Sequence, residues 1–344
     1  QVIRVLAVDD SAFVRKVIRD MLSRNPYIEV VATARDGLEA LDLVEQLKPD
    51  VVTCDLNMPR LDGVGFVREQ MRRSPVPILI LSVAPQDAES ALAALDAGAV
   101  DFVQKPTALA NDDLLRIREE LIEKVKAAAG APVGRLRPEQ PRIAAVPQAP
   151  TRASGRVKAI VIGVSTGGPQ ALRTLLPQFP PDFPVPIAVV LHMPLGFTAL
   201  YAEKLNELTR LKVKEAAEDD EMLPGLILIA QAGRHLVLRR NENQKVVAHL
   251  SLRPADLLHR PSVDVLFRSA AEVYGDSVMG VVLTGMGNDG KEGAAWIKAQ
   301  GGSVLTEAED SCVIYGMPRS VVEAGLSDAA IPLGRLAESI MGRI

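Results

Sequence analysis

Three polar residues of the types that can act together in nucleophilic catalysis, a serine, a histidine and an aspartate, lie far apart along the sequence. Ser165 follows a β-branched run, within a Gly-x-Ser-x-Gly pattern at residues 163–167, which is typical of a hydroxyl exposed on a strand-to-helix turn. His192 directly follows another apolar run, and Asp289 follows a third on a glycine-rich loop. A histidine can take the proton of a serine hydroxyl, and a carboxylate can orient the imidazole and stabilise its cation. We therefore interpret these residues as nucleophile, general base and orienting acid.

Each of these residues also has a plainer explanation. Serine, threonine and glycine at a helix start are typical of an N-cap or a phosphate-binding loop, and an aspartate after asparagine, as at Asp289, commonly caps the next helix. The other three histidines are more simply structural or exposed, because His235 lies in a turn, His249 in a strand-like stretch and His259 in a charged loop. His192 is therefore our candidate for the base.

Attack of a serine hydroxyl on a carbonyl group also requires donors for the negatively charged oxygen of the intermediate. The backbone amides around Met286 and Thr166 lie in glycine-rich turns beside the candidate residues. We expect these amides to donate hydrogen bonds to the negatively charged oxygen. The order of the three side chains along the chain is serine, histidine, acid. The α/β-hydrolase fold places the acid before the histidine, so the pattern favours a Rossmann-like doubly wound sheet instead.

A second group of polar residues follows the apolar runs near the N-terminus. Asp9 and Asp10 follow the first run, Asp55 the third, Ser82 the fourth and Lys105 the fifth. In a parallel sheet these positions face one crevice. Three carboxylates there repel one another unless a hard cation lies among them, and Mg²⁺ suits their charge and oxygen atoms. A carboxylate beside this cation can attack a phosphoryl group, and Lys105 and Ser82 can then bind the added oxygens.

Apolar runs that alternate with amphipathic stretches must position both groups. In the first part of the chain the runs are residues 3–8, 30–34, 51–54, 78–81 and 101–103, and in the last part they are 157–164, 187–191, 226–230, 278–283 and 302–305. This alternation predicts two α/β domains, each with a mostly parallel sheet. The proline-rich stretch between them predicts a linker. The predicted domains are 1–126 and 156–344, joined by a linker over 127–155.

The composition narrows the class of protein. A chain of 344 residues, 48% of them hydrophobic and 24% charged, can bury two cores. A net charge of −4 gives no basic field for nucleic acid or anionic lipid. No apolar run reaches the length of a membrane span, and the N-terminus lacks a signal-peptide pattern. Cys54 and Cys312 match no metal-ligand spacing, and we expect buried reduced thiols. We therefore expect a cytoplasmic protein.

The N-terminal part resembles the receiver domain of two-component response regulators over roughly its first 120 residues. The motifs that carry the resemblance are Val8-Asp9-Asp10-Ser11, Asp55-Leu56-Asn57-Met58-Pro59-Arg60-Leu61-Asp62-Gly63 and Lys105-Pro106. The implied fold is a flavodoxin-like (βα)5 domain that is phosphorylated with the help of Mg²⁺.

The same resemblance implies a role for each polar residue of the cluster. Asp55 accepts the phosphoryl group. The metal ligands are Asp9, Asp10, Asp55 and the backbone carbonyl of Asn57, which stands where close relatives often have an acidic residue. Ser82, Phe102 and Lys105 occupy switch positions, although Phe102 is equally explained as a core side chain.

Both halves together resemble the chemotaxis protein-glutamate methylesterases, response regulators that demethylate chemoreceptors. The matching blocks are residues 163–169, His192-Met193-Pro194, 263–269, 284–290 and 311–318. In that family the residues that match Ser165, His192 and Asp289 form the catalytic triad. Those that match Thr166 and Met286 line the active site.

The resemblance also implies partners and control. The substrates would be glutamyl methyl esters on the cytoplasmic helices of chemoreceptors, and a chemotaxis histidine kinase would phosphorylate Asp55. The unphosphorylated receiver would cover the catalytic face. Ester hydrolysis would need no metal, whereas phosphorylation would need Mg²⁺. Some members of the family also deamidate receptor glutamine, and the sequence leaves that second activity open.

Two rival classes fit the sequence less well. A nucleotide-binding oxidoreductase would use the turn at Gly163, but the Gly-x-Gly-x-x-Gly spacing is absent. A DNA-binding response regulator would carry a small helix-turn-helix unit, whereas the second domain is rich in strands and the chain is acidic. Neither nucleic acid nor membrane insertion is therefore expected.

Overall fold

The computed structural model describes residues 2–82, 86–106, 111–136 and 156–344. It divides into two compact units, Gln1–Glu139 and Gln140–Ile344. Residues 137–155, which make up most of the predicted linker, lie outside the described residues.

The first unit is a five-stranded parallel sheet with strand order β2-β1-β3-β4-β5. Its elements are β1 (Ile3–Val8), α1 (Ala12–Leu22), β2 (Ile28–Ala34), α2 (Gly37–Leu47), β3 (Val51–Asp55), α3 (Gly63–Arg73), β4 (Ile78–Ser82), α4 (Ala88–Asp96), β5 (Asp101–Gln104) and α5 (Asn111–Ala129). Strands β3 and β4 are buried throughout, as expected for a sheet covered on both faces. The predicted flavodoxin-like fold is confirmed.

The first unit continues past residue 126, where the sequence placed its boundary. Helix α5 reaches Ala129, and a 3₁₀ turn follows at Val133–Leu136. Ala131 and Leu136 are buried, and the carbonyl of Leu136 approaches Gly98 at the end of α4. The sequence predicts a linker here because the few apolar residues follow neither a helical nor a strand period. Ala131 and Leu136 nevertheless pack on the domain.

The second unit is a seven-stranded parallel sheet with order β14-β13-β12-β6-β7-β9-β8, plus the antiparallel hairpin β10–β11. Its elements are β6 (Ala159–Val164), α6 (Gly168–Leu175), β7 (Ile187–Leu191), α7 (Thr198–Leu208), β8 (Lys212–Glu215), β9 (Leu226–Ile229), β10 (His235–Arg240), β11 (Val246–Ser251), α8 (Val263–Tyr274), β12 (Val278–Val282), α9 (Lys291–Ala299), β13 (Ser303–Glu307), α10 (Met317–Glu323), β14 (Ala329–Ile331) and α11 (Leu333–Met341). The expected doubly wound sheet is confirmed.

Strand β6 lies where the winding of this sheet reverses. The next strand in sequence, β7, pairs with one of its edges, and β12, which comes much later, pairs with the other. The connections that leave β6 and β12 therefore diverge and open a crevice at the carboxyl ends of these strands.

The helices bury one apolar face each and leave the other to solvent. Helix α1, for example, buries Val14, Ile18 and Leu22. Cys54 and Cys312 are both buried. Within the described part of the chain, no helix combines the length and the apolar character needed to cross a membrane.

A side chain at Gly163 should destabilise the second unit, because helix α8 packs directly on β6 there. A Cβ at this position would meet Val263, with the Cγ2 atom at 2.8 Å and the Cβ at 3.1 Å. Valine has little freedom to rotate away. We expect Gly163→Ala to lower the free energy of unfolding by about 1–3 kcal/mol.

Urea unfolding measures this difference. Gly334→Ala in α11 is the matched control, because a Cβ there has no atom within 4 Å. Equal unfolding midpoints for Gly163→Ala and the unsubstituted protein would contradict the close contact of α8 with β6 at this position.

Candidate functional site

Ser165, His192 and the loop of Asp289 follow three neighbouring strands. Val164 and Leu191 are paired at the ends of β6 and β7, so Ser165 and His192 are the next residues along adjacent strands. The His192 amide donates to the carbonyl of Val164 at 3.2 Å, and the Ser165 amide donates to the carbonyl of Thr284 at 3.0 Å. The backbone of Ser165 is therefore held between the chain that carries His192 and the loop that leads to Asp289.

Glycines allow the backbone to come this close. Gly167 has φ of +79°, the left-handed conformation that glycine adopts readily. A Cβ at Gly285 would lie 2.8 Å from the Cβ of Ser165 and would collide with the sulfur of Met317. Any larger residue at either position would push the serine turn away from the loop after β12.

Asp289 is held by donors at the N-terminus of α8. It accepts from Ser262 Oγ at 2.9 Å, from the Val263 amide at 2.8 Å and from the Asp264 amide at 2.9 Å. Its Oδ2 is also 2.7 Å from His192 Nε2. Burial alone would raise the pKa of Asp289, but these hydrogen bonds outweigh burial and hold the pKa well below its usual range. The carboxylate is ionised at neutral pH.

This arrangement determines which nitrogen of His192 can act as a base. An ionised carboxylate only accepts, so Nε2 carries the hydrogen and Nδ1 has the free lone pair. Nδ1 is buried and accepts no hydrogen bond from the described residues. In the chymotrypsin triad, by contrast, Nδ1 faces the aspartate and Nε2 the serine.

The described residues show no hydrogen bond between the Ser165 hydroxyl and His192. The strand pairing brings the two residues to adjacent positions at the ends of β6 and β7. Such bonds are often loose in structures without substrate and tighten when it binds.

The sequence did not reveal the role of His259. Its ring stacks on that of His192, with centroids 3.9 Å apart and planes within 12°, so it limits rotation of His192. The expectation that His259 is merely structural or exposed is incomplete. The one sequence signal was its place three residues before Ser262, the N-cap of α8.

The two expected oxyanion residues lie beside Ser165. The Thr166 carbonyl accepts from the Thr284 hydroxyl at 3.0 Å, and this bond joins the serine turn to the loop after β12. Met286 is half-buried in that loop. Its amide donates to none of the described residues, as an oxyanion donor requires. The neighbouring Gly285 carbonyl is held by the Met317 amide at 2.8 Å.

The acidic cluster of the first unit fits a hard cation. Asp9, Asp10 and Asp55 each offer an oxygen, and these atoms lie within 4.8 Å of one another. Lys105 Nζ lies 3.0 Å from Asp9 Oδ2 and 3.1 Å from Asp55 Oδ2, but neither oxygen accepts a well-aligned hydrogen bond from the described residues. Burial, and next the charge of Asp9, raises the pKa of Asp55 to about 6. A divalent ion would relieve this repulsion.

The remaining predicted residues of the first unit lie around this cluster. Ser82 is buried, and its carbonyl accepts from the Lys105 amide at 2.8 Å. Phe102 is buried, so its core interpretation fits the structure as well as the switch interpretation. The side chain of Asn57 donates to Asp87 at 3.0 Å.

Comparison with known proteins identifies both units. Residues 160–340 match the family model of the CheB methylesterase, and residues 5–117 match that of the response regulator receiver domain. A protein-glutamate methylesterase/protein-glutamine glutaminase of Myxococcus xanthus is 50% identical over 97% of this chain and 96% of its own length. One from Paraburkholderia xenovorans is 42% identical over 100% of this chain and 97% of its own.

A solved structure is similar to the second unit. The crystal structure of the Thermotoga maritima CheB methylesterase catalytic domain is 42% identical, with a TM-score of 0.52. The similarity covers 54% of this chain and 97% of that one.

Loss of a carboxylate from the acidic cluster should weaken Mg²⁺ binding. We expect Asp10→Asn to lower the affinity for Mg²⁺ by about tenfold or more, because one of three charged oxygens is lost. Isothermal titration calorimetry measures the affinity, and Asp42→Asn, at an exposed position of α2, is the control. Equal affinities for the two variants would contradict a metal site at this cluster.

Neutralising Asp289 should slow reactions of the Ser165 hydroxyl. Asparagine keeps the shape of the side chain but removes the charge that stabilises the His192 cation. We expect Asp289→Asn to slow labelling of Ser165 by a fluorophosphonate by roughly two to four orders of magnitude. Asp182→Asn, at an exposed position of the same unit, should react at the unsubstituted rate. An Asp289→Asn protein that is labelled as fast as this control would exclude the orienting role.

Proposed function

The chain belongs to the CheB methylesterase family, with a receiver domain before the catalytic domain, and we propose that Ser165, His192 and Asp289 are its catalytic triad. Its function is that of a chemotaxis protein-glutamate methylesterase, which hydrolyses glutamyl methyl esters. The proposed substrates are the cytoplasmic helices of chemoreceptors. The observation that carries the triad is the 2.7 Å bond from His192 Nε2 to Asp289, beside Ser165.

The geometry supports a two-step hydrolysis. Ser165 Oγ attacks the carbonyl carbon of the ester while His192 Nδ1 takes the hydroxyl proton. The amides of Met286 and Thr166 stabilise the negative oxygen of the intermediate. The intermediate then collapses, the C–O bond to the methoxy group breaks, and the proton on Nδ1 passes to the leaving oxygen to give methanol.

Water completes the cycle. His192 Nδ1 takes a proton from water, whose oxygen attacks the acyl-enzyme, and the ester bond to Ser165 breaks. Ser165 recovers its proton and free glutamate remains. Asp289 stays ionised throughout and stabilises the imidazolium in both steps.

Deamidation of receptor glutamine is a second proposed activity. Relatives across the whole chain carry the name protein-glutamate methylesterase/protein-glutamine glutaminase. Attack on a glutamine amide gives the same acyl-enzyme with ammonia as the leaving group, so the same three side chains suffice.

The first unit is proposed to control the second. A chemotaxis histidine kinase donates a phosphoryl group to Asp55. Asp9, Asp10, Asp55 and the Asn57 carbonyl would hold the Mg²⁺ that phosphorylation needs. Mg²⁺ there would offset negative charge as the carboxylate and phosphate approach. Lys105 and Ser82 bind the added oxygens, and Phe102 responds as the adjacent switch residue. The unphosphorylated receiver restricts receptor access, and phosphorylation shifts the population toward the open state. The cytoplasm, where receptor helices and kinase meet, is the proposed location.

Methanol release from methylated receptor, with and without a small-molecule phosphodonor, tests both parts. We expect Ser165→Ala to release no methanol above background, because the nucleophile is gone. Ser277→Ala, just before the amino end of β12, should behave as the unsubstituted protein. Methanol release by Ser165→Ala at the unsubstituted rate would refute the nucleophile.

Asp55→Asn tests the control by phosphorylation. It should keep the basal rate and lose all stimulation by phosphodonor with Mg²⁺, because an amide cannot form the acyl phosphate. Asp42→Asn is the control and should remain stimulated. Stimulation of Asp55→Asn would show that the phosphorylated residue lies elsewhere.

A further inference from the structure

The buried imidazole of His235 takes no part in the proposed reaction, yet both of its nitrogens are bonded. It lies at the start of β10 and is 0% exposed. Nε2 is 2.9 Å from the Pro254 carbonyl, and the Ser262 amide is 3.1 Å from Nδ1. A carbonyl only accepts and an amide N–H only donates, so Nε2 carries the hydrogen and Nδ1 accepts. Burial, helped by the charge of Arg260, lowers the pKa of His235, in keeping with this neutral form.

These two bonds hold the two ends of one loop. The loop runs from Pro254 to Ser262, between β11 and α8, and is called the 254–262 loop below. A third bond lies near the Ser262 end of the loop. The Gly233 amide, in the turn before His235, donates to the Arg260 carbonyl at 2.9 Å. The loop therefore rests on the hairpin through His235 and the turn that precedes it.

The same loop makes two contacts with the proposed triad. His259 stacks on the ring of His192 at 3.9 Å, and the Ser262 hydroxyl donates to Asp289 Oδ1 at 2.9 Å. Ser262 is thus bonded to His235 through its backbone and to Asp289 through its side chain. It also begins α8, whose first amides hold the Asp289 carboxylate. A shift of Ser262 would move both partners of His192.

We propose that His235 is a positioning residue of the esterase: its Nδ1 fixes Ser262, and through it the 254–262 loop holds Asp289 and His192 in their reactive geometry. His235 touches neither the substrate nor the reacting atoms. The inference rests on the proposed triad.

Two variants separate the two bonds of His235. In His235→Asn the side-chain oxygen can take the place of Nδ1 and accept from Ser262, while the bond to Pro254 is lost. In His235→Gln the side-chain nitrogen can take the place of Nε2 and donate to Pro254, while the acceptor for Ser262 is lost. His249→Asn is the control, because His249 lies on the paired strand β11 and its ring bonds Glu218 at the surface.

The kinetic constants for methanol release by the full chain are the first readout, measured well below each variant's unfolding temperature. Misplacement of catalytic groups by about 1 Å can cost about a hundredfold in rate. We therefore expect His235→Gln to lower kcat by about ten- to a hundredfold with KM unchanged. His235→Asn should stay within about threefold of the unsubstituted protein, because the Ser262 bond survives. His249→Asn should match the unsubstituted protein.

A double-mutant cycle with Ser262→Ala is the second readout. Ser262→Ala keeps the backbone amide but removes the hydroxyl bond to Asp289. If His235 acts through Ser262, the losses in kcat caused by the two substitutions are not additive. We expect His235→Gln to lower kcat much less in the Ser262→Ala background than alone.

Three results would overturn the inference. They are equal losses for the Asn and Gln variants, a change in KM without a change in kcat, and full additivity with Ser262→Ala. A failure of the proposed function looks different, because the unsubstituted protein would then release no more methanol than Ser165→Ala.

Discussion

The hydrogen bond between Asp289 and His192 is the contact on which the esterase account depends. Asp289 is buried, and a buried carboxylate is costly unless it is fully bonded. Here the N-terminus of α8 and the Ser262 hydroxyl supply three donors, and His192 supplies the fourth. A helix N-terminus also favours negative charge. The carboxylate therefore stays ionised, which places the hydrogen of His192 on Nε2 and leaves the lone pair of Nδ1 for the role of base that we propose.

The fold brings these groups together because β6 lies at the switch point of the sheet. Its two neighbours carry His192 on one side and the Asp289 loop on the other, so residues far apart in sequence meet at one edge. Glycines at 163 and 285 let α8 and the loop after β12 approach β6. The receiver domain has a similar geometry, since its three clustered aspartates also lie at the carboxyl ends of parallel strands.

Much of this could be predicted from the sequence, because long apolar runs and glycine-rich turns are local signals. The central strands and the candidate triad residues follow from them. Strands β8 and β14 were missed: they are the two edges of the large sheet, where short segments such as Lys212–Glu215 show little apolar pattern. The contacts of His235 and His259 were missed because they join residues far apart along the chain. His235 bonds two residues of the 254–262 loop, and His259 stacks on a residue that follows β7. No spacing along the chain records such contacts.

The tautomer of His192 tests the central claim most directly. The chain has four histidines, so ¹⁵N-histidine labelling gives a small set of ring signals, and a His192→Gln variant assigns those of His192. At neutral pH the account predicts a protonated Nε2 with a strongly hydrogen-bonded proton and an unprotonated Nδ1. Asp289→Asn should weaken that hydrogen bond. A proton on Nδ1 of His192 in the unsubstituted protein would contradict the account.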